Sequence, residues 1–299
     1  MKVNIILCGL LVSISLFAAE LQHPSKQNWD GKAFYKATKA SLPFAQQILD
    51  TYPLNNYESI LDVGCGPGTL TAYIAKKTHK NTPVAGFDPS ESMIKFAQGY
   101  YQKPANLYFR QYALPLTMNH WDFIFSCNMF HLLTREKQIE TLKTLAVCAM
   151  STKTVPLLII MAAKTDAPQA ITRAYVTTLA MQRWEKLRDK KLSDYFQPHD
   201  AQSFAQIAKD TGWEVKKTEV QDEHIIFNNV NELKRFITSW MGGFEFVAQL
   251  PEEEQKQLLS DLVENYTKEV PAANDGKIEW RSPKLIVHGQ KPKEVAEKE

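Results

Sequence analysis

Three glycines at alternate positions behind a carboxylate are the residues of this chain best arranged to do chemistry: Ile60-Leu61-Asp62-Val63-Gly64-Cys65-Gly66-Pro67-Gly68-Thr69. An apolar run leads into them and an amphipathic segment, Leu70 to Lys77, leads out, so the stretch reads as strand, tight turn and helix. Glycine is required where the backbone takes positive φ or touches a ligand, and the N–H groups opening a helix favour a carboxylate or phosphate. Such a turn binds a nucleotide-like molecule, and a glycine turn without any ligand is the bland alternative. The spacing is Asp-x-Gly-x-Gly-x-Gly and not the Gly-x-Gly-x-x-Gly of the dinucleotide fingerprint, which disfavours a pyrophosphate cofactor. One strand-helix-strand unit further on, Val84-Ala85-Gly86-Phe87-Asp88 is a second short strand ending in an acid. A carboxylate there accepts two hydrogen bonds from a ribose diol. Nicotinamide enzymes use the same geometry, so Asp88 alone does not discriminate.

The continuation Asp88-Pro89-Ser90-Glu91-Ser92-Met93-Ile94 does discriminate. With it the chain resembles the class I S-adenosylmethionine-dependent methyltransferases, whose first motif Asp62, Gly64, Gly66 and Gly68 match position by position. The resemblance covers about residues 28 to 289. It implies that the turn wraps the methionine end of S-adenosylmethionine, that Asp88 holds the ribose, and that the residues after it, Met93 included, cover the adenine. The cofactor-binding residues expected on this basis are Asp62, Gly64, Cys65, Gly66, Gly68, Asp88, Met93, Gln111 and Cys127. Cys65 and Cys127 fall at the ends of neighbouring central strands, where a small buried thiol is the default reading. Many relatives carry an acid after the third strand to hold the adenine amino group. Here the stretch is Gln111-Tyr112-Ala113-Leu114-Pro115, so adenine is held by Gln111, by backbone groups, or less well. After the fourth strand, Asn128-Met129-Phe130-His131-Leu132 resembles carboxyl methyltransferases of the trans-aconitate and juvenile-hormone-acid type, which usually have His-Trp where this chain has His131-Leu132.

Methyl transfer from a sulfonium asks the protein to align nucleophile, methyl and sulfur and to exclude water. A carboxylate acceptor is already ionised and needs no general base, in keeping with the lack of an obvious base constellation near these motifs. The candidates for direct involvement are His131, Tyr35 and Trp240. His131 either donates to a carboxylate, serves as base for a hydroxyl, or orients the loop after strand four. Tyr35 lies in an N-terminal helical segment of the kind that, in the family, closes over cofactor and acceptor; packing alone is the alternative. Trp240-Met241-Gly242-Gly243-Phe244 is the aromatic, flexible stretch expected to line the acceptor pocket, and core packing accounts for Trp240 nearly as well.

The elements that must hold these residues follow from periodicity. Strands are expected at Ile60, Val84 to Asp88, Asn106 to Gln111, Trp121 to Cys127 and Val155 to Ala163, then from Trp213 and over Lys284 to His288. Helical segments are expected over Trp29 to Tyr52 with a break near Pro43, Ser90 to Tyr101, Thr134 to Ala149, Gln169 to Lys190, Asp200 to Asp210, Val230 to Trp240 and Glu252 to Tyr266. The turn Met150 to Thr154 lacks the Pro-Gly-Gly common in the family and is expected to be longer or looser. The implied fold class is α/β: a Rossmann-like, seven-stranded methyltransferase sheet, mostly parallel with the last strand antiparallel. Helices cover both faces, and a helical lid precedes the last strand.

The boundaries follow. Residues 1–19 form a signal peptide or membrane anchor, 20–289 the methyltransferase domain with its lid at about 228–276, and 290–299 a disordered charged tail. Lys2 followed by the apolar run Val3 to Ala19 resembles a secretory signal, although Leu16 or Phe17 occupies a cleavage-site position where a small residue is usual. Export is therefore expected. The alternative is an uncleaved anchor with the domain facing the cytoplasm, a side weakly favoured by Lys26, Lys32, Lys36 and Lys39.

Hydrophobic content of 44% and charged content of 23% over 299 residues are those of a globular protein with a sizeable core. A formal charge of +2 with no basic run gives no reason to expect nucleic acid. The four cysteines show no metal-ligand spacing, and no metal is expected. The function expected is methyl transfer from S-adenosylmethionine to a small-molecule acceptor, with a carboxylate foremost. A noncatalytic binding or secreted effector protein that keeps the fold is the alternative.

Overall fold

Runs of β-branched and aromatic residues, too short for helices and bounded by polar or glycine-containing turns, build the centre of the molecule. In the computed structural model, which describes residues 29–112 and 120–293, they form β1 (Ile60–Val63), β2 (Val84–Asp88), β3 (Leu107–Gln111), β4 (Phe123–Cys127) and β5 (Val155–Ala162). β1 is buried along its whole length and β5 along nearly all of it, as parallel strands covered on both faces must be. β6 (Glu214–Phe227) and β7 (Ile278–Lys291) complete one sheet in the order β3-β2-β1-β4-β5-β7-β6. β7 runs antiparallel to both neighbours and lies between β5 and β6.

Helices pack around this sheet: α1 (Gly31–Ala37), α2 (Leu42–Leu49), α3 (Thr69–Lys77), α4 (Glu91–Tyr100), α5 (Arg135–Cys148), α6 (Ala170–Leu179), α7 (Ala201–Asp210), α8 (Val230–Met241), α9 (Glu245–Ala248) and α10 (Glu252–Glu269). Their starts are written in the sequence. Asp30, Ser90, Thr134, Asp200 and Asn229 each cap a helix by accepting from a backbone N–H of its first turn.

Several expectations need correction. The break between α1 and α2 falls at Thr38, followed by a 3₁₀ turn over Lys39–Ser41, while Pro43 sits in the first turn of α2, where its missing N–H costs nothing. The helix expected over Gln169 to Lys190 stops at Leu179 and resumes as a 3₁₀ segment, Gln182–Leu187, which buries Trp184 with its indole N–H donating to Asp261 at 2.7 Å. The turn after α5 is pinned, because Lys153 pairs with Glu58 at 2.8 Å and with buried Asp122 at 3.4 Å. β7 is much longer than Lys284 to His288, and its far end takes Gln290 and Lys291 out of the expected tail.

The extra length of β6 and β7 carries a two-stranded ribbon beyond the sheet. There Ile225, Phe227, Ile278 and Trp280 join α6, α8 and α10 in a second hydrophobic core. The expected signal or anchor, residues 1–19, and the last part of the tail, 294–299, lie outside the described residues. Among the described residues no helix is long and apolar enough to cross a membrane.

Candidate functional site

One cavity of about 830 Å³ runs along the C-terminal ends of the parallel strands. Its first half is made of backbone. β1 ends in Gly64, Gly66 and Gly68, with φ of 73°, 52° and 81°. Gly64 and Cys65 each donate an N–H to the Phe87 carbonyl, at 2.8 and 3.0 Å, which ties the turn to β2. A Cβ on Gly64 would come within 2.5 Å of the Met129 side chain, and one on Gly68 within 2.5 Å of the Phe109 ring. These two glycines are packing requirements. A Cβ on Gly66 would meet nothing within 4 Å, so that residue presents bare backbone to the cavity.

Two carboxylates fix this half. Asp88 accepts from Gly66 N–H at 2.9 Å through one oxygen and from Ser90 N–H at 2.8 Å through the other. Each oxygen keeps a lone pair for a further donor. Burial raises its pKa to about 6 despite those two N–H groups. Asp62, 2% exposed, accepts from Thr71 Oγ1 at 2.7 Å. Burial, with Asp88 nearby, lifts its pKa to about 7. Burial likewise holds the Cys65 thiol well above its ordinary range and pushes Cys127 up to about 12, so both are neutral wall residues.

Asp62, Gly64, Cys65, Gly66, Asp88, Met93, Gln111 and Cys127 all line the cavity. Of the nine expected cofactor residues only Gly68 does not; it serves as N-cap of α3 and lets that helix approach β3. Gln111 donates to the Pro89 carbonyl at 3.3 Å, and exposed Tyr112 lines the cavity beside it.

The three residues expected to act on the acceptor are elsewhere. His131 is buried in the 3₁₀ turn Phe130–Leu132 with Nδ1 accepting from Ala162 N–H at 3.2 Å and its ring against Phe196. Burial, with Lys284 and His199 nearby, holds it well below the usual histidine range, so the ring is neutral. It orients the loop after β4 and does not line the cavity. Tyr35 packs at a tilt against Phe96 and Tyr100 of α4 and donates to Tyr100 Oη at 2.9 Å. Trp240 packs on Phe244 and Trp280 in the second core. No described residue of the expected lid, 228–276, lines the cavity either. Its contribution is indirect: Gly243 lies so close under the Trp29 ring that a Cβ would be 2.8 Å away, and Trp29 does line the cavity.

The second half of the cavity is made of side chains absent from the expected set. Asn128 follows β4 with φ of 56°, a left-handed conformation that asparagine tolerates better than most residues. Its Oδ1 accepts from Lys284 Nζ at 2.9 Å, and Lys284 pairs with Glu223 at 3.2 Å. Lys284 and Glu223 are 7% and 3% exposed, and all three residues line the cavity. Strand parity carried a signal for Lys284, which shares a sheet face with fully buried Ile286 and must therefore point inward. The chemistry available is a backbone cradle with a diol-accepting carboxylate at one end and a buried ammonium at the other.

Residues 60–149 match the methyltransferase domain family. Trans-aconitate 2-methyltransferase of Rhodopseudomonas palustris is 22% identical over 274 residues, covering 87% of this chain and 98% of that protein. Among solved structures, the YcgJ protein of Bacillus subtilis superposes with a TM-score of 0.55 at 15% identity, covering 85% of this chain and 99% of that one. The 4+2 cyclase SpnF gives a TM-score of 0.52 at 12% identity, covering 95% of this chain and 93% of its own. Likenesses at such identities speak for the fold.

Proposed function

The chain carries a methyltransferase domain of the class I S-adenosylmethionine-dependent fold, and on that premise we propose that it methylates a carboxylate of a small molecule. The residues present fit the cofactor. Gly66 turns bare backbone to the cavity, and Asp88 retains one lone pair on each oxygen for a ribose diol. When bound, S-adenosylmethionine supplies an electrophilic methyl on a positively charged sulfur. A cavity of about 830 Å³ has room for such a molecule together with a small acceptor.

The observation that carries the carboxylate reading is the lack of a free base on the described cavity wall. His131 is turned into the sheet, Asp62 and Asp88 serve the cradle, Glu91 is ion-paired with Lys95, and Glu223 is ion-paired with Lys284. An acceptor that arrives ionised needs none. A lone pair of its oxygen forms the new O–CH3 bond as the S–CH3 electrons pass to sulfur, the two opposite charges cancel, and no proton is moved. The chain's own part is alignment and exclusion of water, effects worth on the order of 7–11 kcal/mol when well realised. The trans-aconitate 2-methyltransferase likeness over nearly the whole chain supports the same acceptor class.

Calorimetric titration of the full chain with S-adenosylmethionine and S-adenosylhomocysteine tests the premise, with Asp88→Ala as control. The charged hydrogen bonds lost are worth roughly 1.5–3 kcal/mol, so affinity should fall about tenfold or more. Wild-type affinity in that variant would refute the ribose assignment. Transfer of labelled methyl from the cofactor into base-labile esters tests the acceptor class, and label found only in base-stable ethers or amines would sink it.

A further inference from the structure

The cofactor half of the cavity occupies the ends of β1, β2 and β3, which leaves the ends of β4, β5, β7 and β6 for the acceptor. What stands there is unusual: a lysine and a glutamate, each more than nine-tenths buried, brought from strands β7 and β6 to an asparagine after β4. Desolvating both charges is costly and a buried pair adds little stability by itself, so the arrangement needs another reason. We propose that Lys284 and Asn128 form the anchor for the acceptor's carboxylate, with Glu223 holding the ammonium in place, and that the acceptor is a monocarboxylic acid with an apolar body. The proposal rests on the methyltransferase reading above and specifies its acceptor.

The donor count supports the anchor. An ammonium has three N–H donors. In Lys284 one goes to Asn128 Oδ1, and Glu223 Oε2 lies 3.2 Å from the ammonium as its ion-pair partner; even if that pairing engages a second donor, a third is left for a ligand. With Oδ1 turned to the ammonium, the Asn128 amide N–H2 faces away from it, and no described residue accepts from it. A carboxylate oxygen reaching this point meets one charged and one neutral donor, and its other oxygen stays free to attack.

The charge of the wall sets the limit of one carboxylate. Among the described residues lining the cavity, Asp62, Asp88, Glu91 and Glu223 face only Lys137 and Lys284, and Lys137 is already held by Glu140 at 2.8 Å. A second or third carboxylate would find no further free cation on that wall and would face Glu223 and Glu91. The neighbouring wall is apolar instead. Leu42, Phe44 and Leu132 line the cavity, and the Lys39–Ser41 turn just before Leu42 lies against β6, the strand that bears Glu223.

The experiment is calorimetric binding of decanoate, 1-decanol and trans-aconitate to the full chain saturated with S-adenosylhomocysteine. Decanoate should bind at least about tenfold more tightly than either of the others. Lys284→Met should erase the preference over decanol. The double variant Lys284→Met/Glu223→Gln, which leaves no unpaired buried charge, should behave like the single one, with unchanged S-adenosylhomocysteine affinity showing that the fold is intact. Glu223→Gln alone keeps an oxygen that can hold the ammonium in place and removes the negative charge that repels an incoming carboxylate, so decanoate affinity should hold or rise. The proposal is overturned if decanoate fails to bind, if alcohol and acid bind equally, if trans-aconitate binds more tightly, or if Glu223→Gln abolishes acid binding. Failure of S-adenosylhomocysteine to bind the wild type would instead remove the methyltransferase premise, and is read separately.

Discussion

The two halves of the cavity are built by opposite means. The cofactor half is local and made of backbone: Gly64, Gly66 and Asp88 come from two adjacent strands and are held by N–H groups of their own turn. The half proposed for the acceptor is nonlocal and made of side chains: Asn128 follows β4, while Glu223 and Lys284 come from β6 and β7, far from it in the sequence. A turn that must bare its backbone can be specified only by glycines at fixed spacing, so it leaves a motif. A pocket that needs one ammonium at one point can draw it from any strand whose parity is right, and leaves none.

The largest expected difference between the halves is in their response to pH. Asp62 and Asp88 have native pKa values of about 7 and about 6, both raised by burial from 3.8. Between about pH 4 and 7 the native state therefore holds protons that the unfolded chain has released, and stability falls as pH rises through that window before levelling off. For Asp62 the change is on the order of a few kcal/mol. Thermal unfolding of the unliganded protein from pH 4.5 to 8 should show this decline, and Asp62→Asn should make it shallower, leaving the share due to Asp88. A slope unchanged in Asp62→Asn would remove the claim that this half is the proton-sensitive one.

Next in size is a contrast within the cradle. Gly68→Ala combines a positive φ with a Cβ driven into the Phe109 ring and should cost about 2–4 kcal/mol of stability. Gly66→Ala has the same class of backbone strain without the clash, so it should cost only about 1–2 kcal/mol while obstructing S-adenosylhomocysteine. Denaturant unfolding and calorimetry on the pair separate the two roles. Equal destabilisation would mean that Gly66 is not open to the cavity as described.

These contrasts explain what was legible. The sheet, its mixed direction and the cavity lining by eight of the residues expected to hold the cofactor follow from apolar runs, the alternate glycines and the acid ending β2. The roles first given to His131, Tyr35 and Trp240 do not, because residue type and neighbourhood in sequence say nothing of which way a side chain leaves its turn or helix. Tyr35 and Phe34 are adjacent in α1, yet only Phe34 lines the cavity. Lys284 was hidden differently: it stands at the inward parity of a strand whose length and pairing with β6 emerge only in three dimensions.

His131 sharpens the comparison from the side of structure. Its Nδ1 bond to Ala162 N–H links the loop after β4 to the end of β5. His131→Ala leaves that buried N–H unsatisfied and opens a void, at a cost of roughly 1–3 kcal/mol in stability. Binding of S-adenosylhomocysteine and turnover per folded molecule should remain within about twofold of wild type. A turnover loss of a hundredfold with normal cofactor binding would return the histidine to the chemistry.

The smallest expected effects test where the acceptor half ends. Leu42 lines the cavity and Tyr35 does not, although they sit on successive helical segments of the same N-terminal region. Leu42→Ala removes part of the apolar wall proposed for the acceptor's body, worth roughly 1 kcal/mol at partial burial, and should weaken decanoate about fivefold. Tyr35→Phe keeps the packing against Phe96 and Tyr100 and loses only a hydroxyl contact at the surface. A bond between exposed groups exchanges with water at little net gain, so stability and decanoate affinity should both stay close to wild type. If Tyr35→Phe weakens decanoate as much as Leu42→Ala does, α1 must turn Tyr35 inward when the acceptor binds, and the boundary drawn between the cavity wall and the surface aromatic cluster would have to move with it.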